Sequence, residues 1–415
     1  MAHIKEYIPI VGQSIIDELY LLAERLEGKT IQHINSTAVG GGVAEILNCM
    51  VPLLNEIGVK TYWDLIKGGD SFFNVTKKFH NALHGRAETI TDDMLDVFME
   101  TSLQNVENMK RNGDIIVVHD PQPIVLIKNK KDLPDTKWIW RCHIDVSNPD
   151  RKVWQFLKQF IMDYDSCIFS APLFSQRLSD METGTDVPQV LISPSIDPLS
   201  TKNKEIPQET IESVLEKYHI RSDKPMITQI SRYDYLKDPV GVIEAYKLVK
   251  KYIDCQLVLV GNLAADDPEH DQVYSEVQEK AGEDPDIHPL VIDPVHNDIE
   301  INALQRASDV IVQKSLKEGF ALTVTEALWK AKPVVASAVG GIPLQITHEH
   351  SGVLTRTVEG TARAIRQILQ SPEYAKRLGD NGREHIRNNF LITRHIRDYL
   401  LLWMSTFYEG DVVNI

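Results

Sequence analysis

The stretch "DVIVQKSLKEGFALTVTEALWKAKPVV" (residues 309–335) indicates the fold of this chain most clearly. It begins with an apolar, β-branched run and continues through a polar loop into a segment of helix-forming residues. Pro333 then precedes a second apolar run. Short strand patterns that alternate with helical patterns are typical of a parallel α/β sheet. The stretch therefore predicts one strand–helix–strand unit of such a sheet.

The same alternation extends in both directions along the chain. The predicted strands form two series, at residues 31–35, 59–66, 115–120, 138–145, 167–170 and 190–192, and then at 226–231, 256–261, 309–313, 333–337 and 352–355. Because each series is long enough for a sheet of its own, we predict an α/β protein with two Rossmann-like, doubly wound domains facing a cleft. Ligands of such sheets bind at the carboxyl ends of the strands.

The length of 415 residues exceeds the size at which a single core keeps growing. The Pro- and Ser-rich stretch "SPSIDPLSTKNKEIP" (193–207) is the natural boundary, which predicts domains at 1–197 and 198–388. The remaining residues, 389–415, contain an amphipathic helix that we expect to pack back on the N-terminal domain. Its apolar side could instead form the subunit contact of a homodimer.

Composition and charge limit the classes of partner. The formal net charge of −15 argues against nucleic acid or an anionic membrane surface, because both select clustered Lys and Arg. The four cysteines are widely spaced, which favours reduced thiols over disulfides or a metal site. No run of 18 apolar residues and no secretory signal pattern occurs, so we expect a cytoplasmic protein without a membrane partner.

A glycine run follows the first predicted strand, in "HINSTAVGGGVAEILNCMVPLLNEIG" (33–58). Gly40, Gly41 and Gly42 would let backbone N–H groups approach an anion at the positive end of the next helix. The spacing is neither GxGxxG nor GxxxxGK[ST], which disfavours a dinucleotide cofactor and a P-loop NTPase. A tight turn without a ligand is an equally good interpretation of the run alone.

Two cations follow the first strand of the second series, in "ISRYDYLKDP" (230–239). Arg232 offers a planar fork to phosphate oxygens and Lys237 a mobile charge, so together they could neutralise a diphosphate. Cations in a loop are more often solvated, but a position at the carboxyl end of a strand favours a ligand role.

Polar residues also end two strands of the first series, in "HDPQP" (119–123) and "RCHID" (141–145). Their side chains could converge on the cleft, and the candidates are Asp120, Arg141, His143 and Asp145. A structural Arg141–Asp145 ion pair is the alternative, because a buried cation needs a partner. No GxSxG motif is present, so the sequence gives no argument for a Ser-His-Asp triad.

Metal binding is not predicted. "DYD" (163–165) and "DPD" (284–286) imitate a DxD motif, but neither follows a predicted strand, which favours solvated charge. There is no HExxH motif and no clustered histidine spacing.

"KEGFALTVTE" (317–326) places Glu318 and Glu326 eight positions apart. Thr323 and Glu326 fit a T-x-x-E capping box, which gives Glu326 a structural interpretation. A capping box does not explain Glu318. A carboxylate and Gly319 before a helix start instead predict a turn whose free N–H groups hold sugar or phosphate oxygens.

"KEGFALTVTE" resembles the E-x7-E signature of retaining GT-B glycosyltransferases, in particular those of family 4. The order of motifs agrees over essentially the whole chain, ending with "GGIP" (340–343). Five segments look most like the trehalose glycosyltransferring synthases: "HINSTAVGGGVAEIL", "FFNVTKKFHNALHG", "HDPQP", "WRCHIDVSNPD" and "GFALTVTEALWKAKPVV". One departure is Leu344, which stands after "GGIP" where many family 4 members have Glu.

The resemblance implies an N-terminal acceptor domain and a C-terminal nucleotide-sugar donor domain. It implies catalytic roles for Glu318 and His143 and a contact of Glu326 with the donor ribose. The remaining implied contacts are Arg232, Lys237, Gly41 and Gly42 with the donor diphosphate; Gly319, Phe320, Ala321 and Leu322 with the donor sugar; and Asn35, Asp120, Arg141 and Asp145 with the acceptor.

The implied reaction forms, or reversibly cleaves, trehalose from free glucose and a nucleotide sugar such as UDP-glucose or ADP-glucose. No cofactor is expected to be required, with Mg²⁺ serving at most as a non-essential counterion of the diphosphate. A retaining trehalose phosphorylase, or a family 4 transferase with another acceptor, is the alternative. A nucleotide-sugar isomerase and a non-catalytic sugar-nucleotide binding protein are more distant alternatives.

Overall fold

A computed structural model describes residues 2–39, 41–175, 178, 186–262, 268–293 and 297–408, and the description below concerns these residues. The chain divides into two compact units. The first unit combines Met1–Pro194 with Ile392–Ile415, and the second unit is Ser195–Leu391.

Each unit contains one parallel sheet. The strands are β1 (Thr30–Asn35), β2 (Lys60–Leu65), β3 (Ile115–His119), β4 (Lys137–Cys142), β5 (Ser166–Phe169), β6 (Gln189–Leu191), β7 (Met226–Ile230), β8 (Gln256–Asn262), β9 (Ile287–Ile292), β10 (Val310–Gln313), β11 (Val334–Ser337) and β12 (Val353–Thr355).

Helices connect the strands. They are α1 (Ile8–Val11), α2 (Gln13–Glu24), α3 (Gly42–Glu56), α4 (Asp70–Leu83), α5 (Asp92–Asn108), α6 (Arg151–Ile161), α7 (Gln208–Lys217), α8 (Pro239–Lys250), α9 (Pro268–Ala281), α10 (Asp298–Ala307), α11 (Leu322–Trp329), α12 (Ile342–Gln345), α13 (Val358–Gln370), α14 (Pro372–Asn389) and α15 (Ile392–Phe407). Short 3-10 helices occur at Ile4–Tyr7, Ile124–Asp132, Pro172–Phe174 and Tyr235–Lys237.

The sheet of the first unit has the strand order β2-β1-β3-β4-β5-β6 within the described residues. β1 pairs in parallel with β2 on one side and with β3 on the other. The chain therefore leaves β1 toward one edge of the sheet and later returns to its other side. Such a reversal separates the loops that follow the two neighbouring strands, and ligands of open α/β sheets bind there. Residues after β1 and β3 are thus in the expected position for a site.

The sheet of the second unit has the order β12-β11-β10-β7-β8-β9 within the described residues. The reversal falls between β7 and β10, which pair in parallel. The loops after these two strands carry Arg232, Lys237 and Glu318. The predicted fold class is confirmed, with parallel strands and surrounding helices in both units.

One strand of the second unit is missing from the sequence-based prediction. β9 contains Pro289, which cannot donate a backbone hydrogen bond and lowers the strand signal. Within the described residues β9 pairs only with β8 and lies at the edge of the sheet, where a missing donor is tolerated. The prediction of five strands for this half was therefore one too few.

The strand predicted at residues 138–145 ends earlier, at Cys142. Asp120 donates its backbone N–H to Arg141 at 2.8 Å, which is the last bond between β3 and β4. The carboxylate of Asp120 then accepts the backbone N–H of His143, also at 2.8 Å. A side-chain hydrogen bond thus replaces the next backbone hydrogen bond between the two strands, and His143 lies outside the sheet.

The C-terminal helix α15 packs against α2 and α3 in the first unit. Its buried side includes Ile396, Tyr399 and Trp403. Arg397 bonds to Glu18 of α2 at 2.7 Å. The apolar side of this helix is therefore covered within the chain. None of the helices in the described ranges is long and apolar enough to cross a membrane.

Candidate active site

An ion pair joins the two loops at the reversal point of the second sheet. Lys237 follows β7 and Glu318 follows β10, and Lys237 Nζ lies 2.7 Å from Glu318 Oε2. Ser315 Oγ donates to the same carboxylate oxygen at 3.1 Å. The side chains of Lys237 and Glu318 are 17% and 9% exposed. The pair is therefore largely shielded but keeps an open side.

Arg232 lies in the same loop as Lys237 but is bound more loosely. Its guanidinium is 3.5 Å from Asp234, and its side chain is 48% exposed. Asp234 is held by its own bond to the backbone N–H of Leu236 at 2.7 Å. A half-exposed guanidinium whose ion pair among the described residues is this long keeps most of its donors available to an anion.

The loop between Glu318 and α11 has an unusual backbone. Ala321, the residue before α11, has a φ of 71°, which non-glycine residues seldom adopt. Its side chain makes no cap hydrogen bond to α11. The first N–H groups of the helix are consequently left without a side-chain cap, as expected for a turn that holds ligand oxygens.

The "GGIP" glycines pack against the backbone of this loop. A Cβ on Gly340 would lie 1.7 Å from the backbone oxygen of Glu318, and Gly340 has a φ of 55°. Gly341 donates its N–H to Gly319 O at 3.1 Å. Gln345 donates to Phe320 O and accepts from Thr325, which ties α12 to both sides of the same loop. The two glycines are required because backbone meets backbone here.

Glu326 does not form the predicted capping box. α11 already begins at Leu322, so Thr323 lies inside the first turn, and its hydroxyl contacts Gln313 instead of a helix N–H. The Glu326 carboxylate is 3.4 Å from Gln305 Nε2 and 3.9 Å from Lys202 Nζ. The capping-box interpretation was wrong because it placed the N-cap at Thr323, two residues after the actual N-cap, Ala321.

A buried lysine lies one turn after Glu326. Lys330 Nζ donates to Gln305 at 2.7 Å and to Asn203 at 2.9 Å. Burial lowers the pKa of Lys330 to about 7, while the nearby carboxylate of Glu326 opposes that shift. Since Gln305 contacts both side chains, this network orients Glu326.

The predicted anion loop of the first unit is partly described. Gly41 precedes α3 with a φ of 80°, and Gly42 is the first residue of that helix. Gly40 lies outside the described residues. Asn35, at the end of β1, accepts from Trp63 Nε1 at 2.8 Å and donates to Thr37 O at 2.8 Å. Both bonds fix the Asn35 amide at the start of the loop.

Three histidines form a hydrogen-bonded series at the carboxyl end of the first sheet. His143 Nε2 is 3.0 Å from His119 Nδ1, and His119 Nε2 is 2.9 Å from His33 Nδ1. His33 and His119 are buried, and His143 is half-buried. Burial lowers the pKa of His33 to about 3 and lowers the pKa of His119 and His143 well below the usual value. All three imidazoles are therefore neutral near pH 7.

Asp120 is the neighbour of this series. Its φ of 63° lies in the left-handed region, where Asp is one of the more tolerated residues. Burial raises its carboxyl pKa to about 6, although the His143 N–H and the Arg141 charge oppose the shift. A carboxylate kept in such an environment is a candidate for a functional role.

The Arg141–Asp145 ion pair considered above is not formed. Arg141 is fully buried, and its Nη2 donates to Ile192 O at 2.6 Å and to Ser170 at 3.3 Å. Asp145 is 2% exposed and accepts the backbone N–H of Ser147 at 2.9 Å. The strand ends before Asp145, so the two side chains follow different paths. Their contacts with an acceptor stay predictions.

The DxD-like motifs are used in ion pairs. Asp165 binds Lys130 at 2.9 Å, and Asp286 binds Lys224 at 2.8 Å and also Lys250. In the part of the chain that the structure describes, no group of three or more His, Cys, Asp or Glu is arranged to hold a metal ion.

Sequence reasoning missed several supporting residues. Ser315 lies outside the E-x7-E motif, three residues before Glu318 in the same loop, whereas the fold brings Gln345 to Phe320. His33 and His119 are present in the motifs "HINSTAVGGG" and "HDPQP". Their position at the ends of neighbouring strands, two residues before Asn35 and one before Asp120, was a usable signal for a contact.

Comparisons with known proteins identify the family of the chain. Residues 33–176 match the family model "Trehalose synthase, N-terminal domain", and residues 210–385 match "Glycosyl transferases group 1". The chain is 43% identical to a trehalose synthase from Pyrococcus horikoshii over 402 residues, covering 96% of this chain and 95% of the relative. It is 42% identical to a trehalose synthase from Rubrobacter xylanophilus, again covering 96% and 95%.

A solved structure shows the same fold. The structure is that of an α,α-trehalose-phosphate synthase (UDP-forming) from Burkholderia xenovorans in complex with glucose-6-phosphate. The TM-score is 0.72 at 14% identity, with 91% of this chain and 100% of the other covered. At that identity the similarity supports the fold, which is GT-B. The matches over nearly the full length, together with the two family models, show that the chain is a glycosyltransferase of the trehalose synthase family.

Proposed function

We propose that the protein is a retaining glucosyltransferase that forms α,α-trehalose from a nucleotide-activated glucose and free glucose, in a reversible reaction. The observation that carries this proposal is the Lys237–Glu318 pair at the reversal point of the second sheet. There, a cation that can bind a phosphate lies beside a carboxylate that can bind a sugar, in a chain of this family.

The second unit would bind the donor. Arg232, with its available guanidinium, and Lys237 would take up the charge of the departing diphosphate. Glu318 would bind hydroxyls of the donor glucose and stabilise positive charge at its anomeric carbon. The backbone N–H groups of Gly319 to Leu322, which lead into the start of α11, would bind donor-sugar oxygens. Glu326, oriented by Gln305, would accept hydrogen bonds from the ribose.

The first unit would supply the acceptor contacts. Its candidates are Asn35, Asp120, Arg141 and Asp145, all at or just after the carboxyl ends of β1, β3 and β4. His143 would contact the donor sugar, and the N–H groups of Gly41 and Gly42 at the start of α3 would assist with the diphosphate.

The proposed chemistry needs no protein base. The bond from the anomeric carbon to the phosphate oxygen breaks, and the acceptor hydroxyl oxygen bonds to the same face of that carbon. The hydroxyl proton moves to the departing phosphate oxygen. Preorganised charge from Arg232 and Lys237 lowers the barrier because it meets negative charge as that charge develops.

The test is to incubate the protein with glucose and UDP-, ADP- or GDP-glucose in turn, and to identify the disaccharide by NMR. We expect α,α-trehalose from at least one donor, and none with Glu318→Gln. A β-linkage would overturn retention. Absence of disaccharide with every donor would overturn the transferase proposal itself.

Two further incubations separate the alternatives. Trehalose with a nucleoside diphosphate should yield the nucleotide sugar, whereas glucose 1-phosphate formed from trehalose and inorganic phosphate would instead identify a phosphorylase.

Adding a chelator tests whether Mg²⁺ contributes as a counterion of the diphosphate. We place the enzyme in the cytoplasm because its four cysteines are widely spaced in the sequence, a pattern that favours reduced thiols.

A further inference from the structure

The histidine series in the first unit ends at His33, which lies beside two aromatic rings of α15. The ring of His33 lies 6.0 Å from that of Tyr399 and 5.9 Å from that of Trp403, both of α15. His33 Nε2 and Trp403 Nε1 are both buried, and neither has a hydrogen-bond partner among the described residues. Two unpaired polar atoms therefore lie on neighbouring rings.

The chemistry of these rings restricts the direction of the hydrogen bonds. A neutral imidazole carries one proton, so one nitrogen donates and the other accepts. The series His33–His119–His143 can thus run in two directions. In one direction every donor is Nδ1, and in the other every donor is Nε2.

Trp403 selects between the two directions. The indole N–H can only donate, so the neighbouring His33 Nε2 offers it a partner only when that nitrogen carries no proton. The ring centroids are 5.9 Å apart, so we infer that the two groups meet directly after a ring rotation or through one bridging water. The opposite direction buries two unsatisfied N–H groups against aromatic rings, and buried unpaired N–H groups are rare because they lose a hydrogen bond outright.

We propose that Trp403, His33 and His119 form a one-way hydrogen-bond chain that fixes His143 as the tautomer protonated at Nδ1. His143 is then a hydrogen-bond donor directly after β4. Trp403, His33 and His119 are positioning residues that touch no substrate. The inference rests on the proposed function in one respect, namely that His143 contacts the donor sugar.

The fixed tautomer has a chemical consequence. A neutral His143 with its proton on Nδ1 and its Nε2 occupied by His119 can donate to a hydroxyl oxygen. It has no nitrogen left to accept the proton of an acceptor hydroxyl. The chain therefore excludes His143 as a general base.

The direct test is NMR of the full-length protein with ¹⁵N-labelled histidine, in which long-range ¹H–¹⁵N correlations separate protonated from unprotonated ring nitrogens. Signals are assigned by their loss in single His→Gln variants. We expect His33, His119 and His143 to be protonated at Nδ1 only. Protonation of His143 at Nε2, or an imidazolium at neutral pH, would overturn the proposal.

Trp403→Phe removes the indole N–H and keeps a ring in place. We expect His143 to show both tautomers in this variant and kcat/KM to fall by between about threefold and tenfold, the effect of one neutral hydrogen bond. Trp138→Phe is the matched control, because Trp138 is also fully buried with an unpartnered indole N–H in the described structure. Equal spectra in the two variants would refute the role of Trp403.

His33 allows a rescue experiment. His33→Gln can accept from Trp403 through its carbonyl and donate to His119 through its amide, so the direction of the chain is retained. His33→Phe breaks the chain at the same position. We expect the single His143 tautomer and most activity in the first variant and neither in the second.

Failure of this inference can be distinguished from failure of the proposed function. The ¹⁵N spectra of the wild-type protein test the chain without any substrate. Absence of disaccharide would refute the transferase proposal and leave the tautomer measurement valid.

Discussion

Lys237 Nζ lies 2.7 Å from Glu318 Oε2, although the two residues are 81 positions apart in the sequence. Parallel pairing of β7 with β10 brings the loops that carry them to one point of the sheet. Each side chain thus neutralises the other. Donor binding is expected to redistribute these contacts between the diphosphate and the glucose hydroxyls.

The ion pair should be measurable in the ligand-free protein. Lys237→Met leaves the largely buried Glu318 carboxylate with Ser315 as a donor, and we expect a loss of about 1–3 kcal/mol in the free energy of unfolding. The double variant Lys237→Met, Glu318→Gln should recover part of that loss, since no unpaired charge remains. Urea unfolding of the four proteins tests this coupling, and strictly additive effects would contradict it.

Removal of either cation should reduce catalysis. Arg232→Ala and Lys237→Ala are each expected to lower kcat by about 10²-fold, because each removes a preorganised contact with developing charge. For Arg232 the melting temperature should stay unchanged, since its ion pair with Asp234 is long and half-exposed. Lys376→Ala, at an exposed position of α14, is the control. Wild-type rates in both variants would reject the diphosphate assignment.

Glu326 should matter more for the donor than for the fold. We expect Glu326→Gln to weaken donor binding by about tenfold or more in calorimetry, because a charged acceptor of hydroxyl bonds is lost. The amide of this variant keeps an acceptor for Gln305, 3.4 Å away, so we expect the loss of donor affinity to exceed the loss of stability. A drop in melting temperature with unchanged donor affinity would show that Glu326 is structural.

Asp120 should make stability depend on pH. Its folded pKa, raised to about 6 by burial, exceeds the ordinary value of 3.8, so the folded state binds the proton more tightly. The contribution of Asp120 to stability is therefore full below about pH 4 and is lost as the pH rises toward 6. Asp120→Asn keeps an acceptor for the His143 N–H and removes the charge. We expect it to be more stable than wild type at pH 7.5 and to lose this advantage near pH 4.

Activity provides the second readout for Asp120. If its carboxylate contacts the acceptor, Asp120→Asn should raise the KM for glucose at the same pH at which it stabilises the fold. Thermal unfolding at several pH values gives the first quantity and initial rates give the second. A stability difference that does not change with pH would contradict the elevated pKa.

Gly340 should tolerate no side chain. An added Cβ would overlap the Glu318 oxygen at 1.7 Å, so Gly340→Ala must shift the backbone that carries this carboxylate. A misplacement of about 1 Å can cost about 10²-fold in rate, and we expect at least that loss. Gly282→Ala is the matched control, because Gly282 has a similar φ of 63° and its nearest atom is 4.0 Å away. Equal effects of the two variants would attribute the loss to backbone strain alone.

The sequence predicted most of the fold because strand and helix patterns are local. Eleven runs matched strands, with boundaries that differ by one to three residues. The exception, β9, carries Pro289 and lies at an edge where the usual strand rule is relaxed. The end of β4 at Cys142 could not be predicted either. The carboxylate that takes the place of the next ladder hydrogen bond belongs to Asp120, which follows another strand.

The features of the candidate site also fall into two groups, those that the sequence predicted and those that it did not. The E-x7-E spacing, the two cations after β7 and the "GGIP" glycines can be recognised in the sequence because they are motifs. The capping box was wrong because the spacing of Thr323 and Glu326 also occurs within a helix, and Thr323 is the second residue of α11. The Arg141–Asp145 pair was wrong because the two side chains separate where the strand ends.

The sequence by itself determined the fold class, the family resemblance and the residue types of a sugar-nucleotide site, since periodicity and motif spacing are properties of neighbouring residues. Only the tertiary structure decided which distant side chains lie close together. Lys237 with Glu318, and Trp403 beside His33, come from distant parts of the chain. Strand order and helix packing bring them together, and electrostatic and hydrogen-bonding interactions act over a few ångströms in space, not along the sequence.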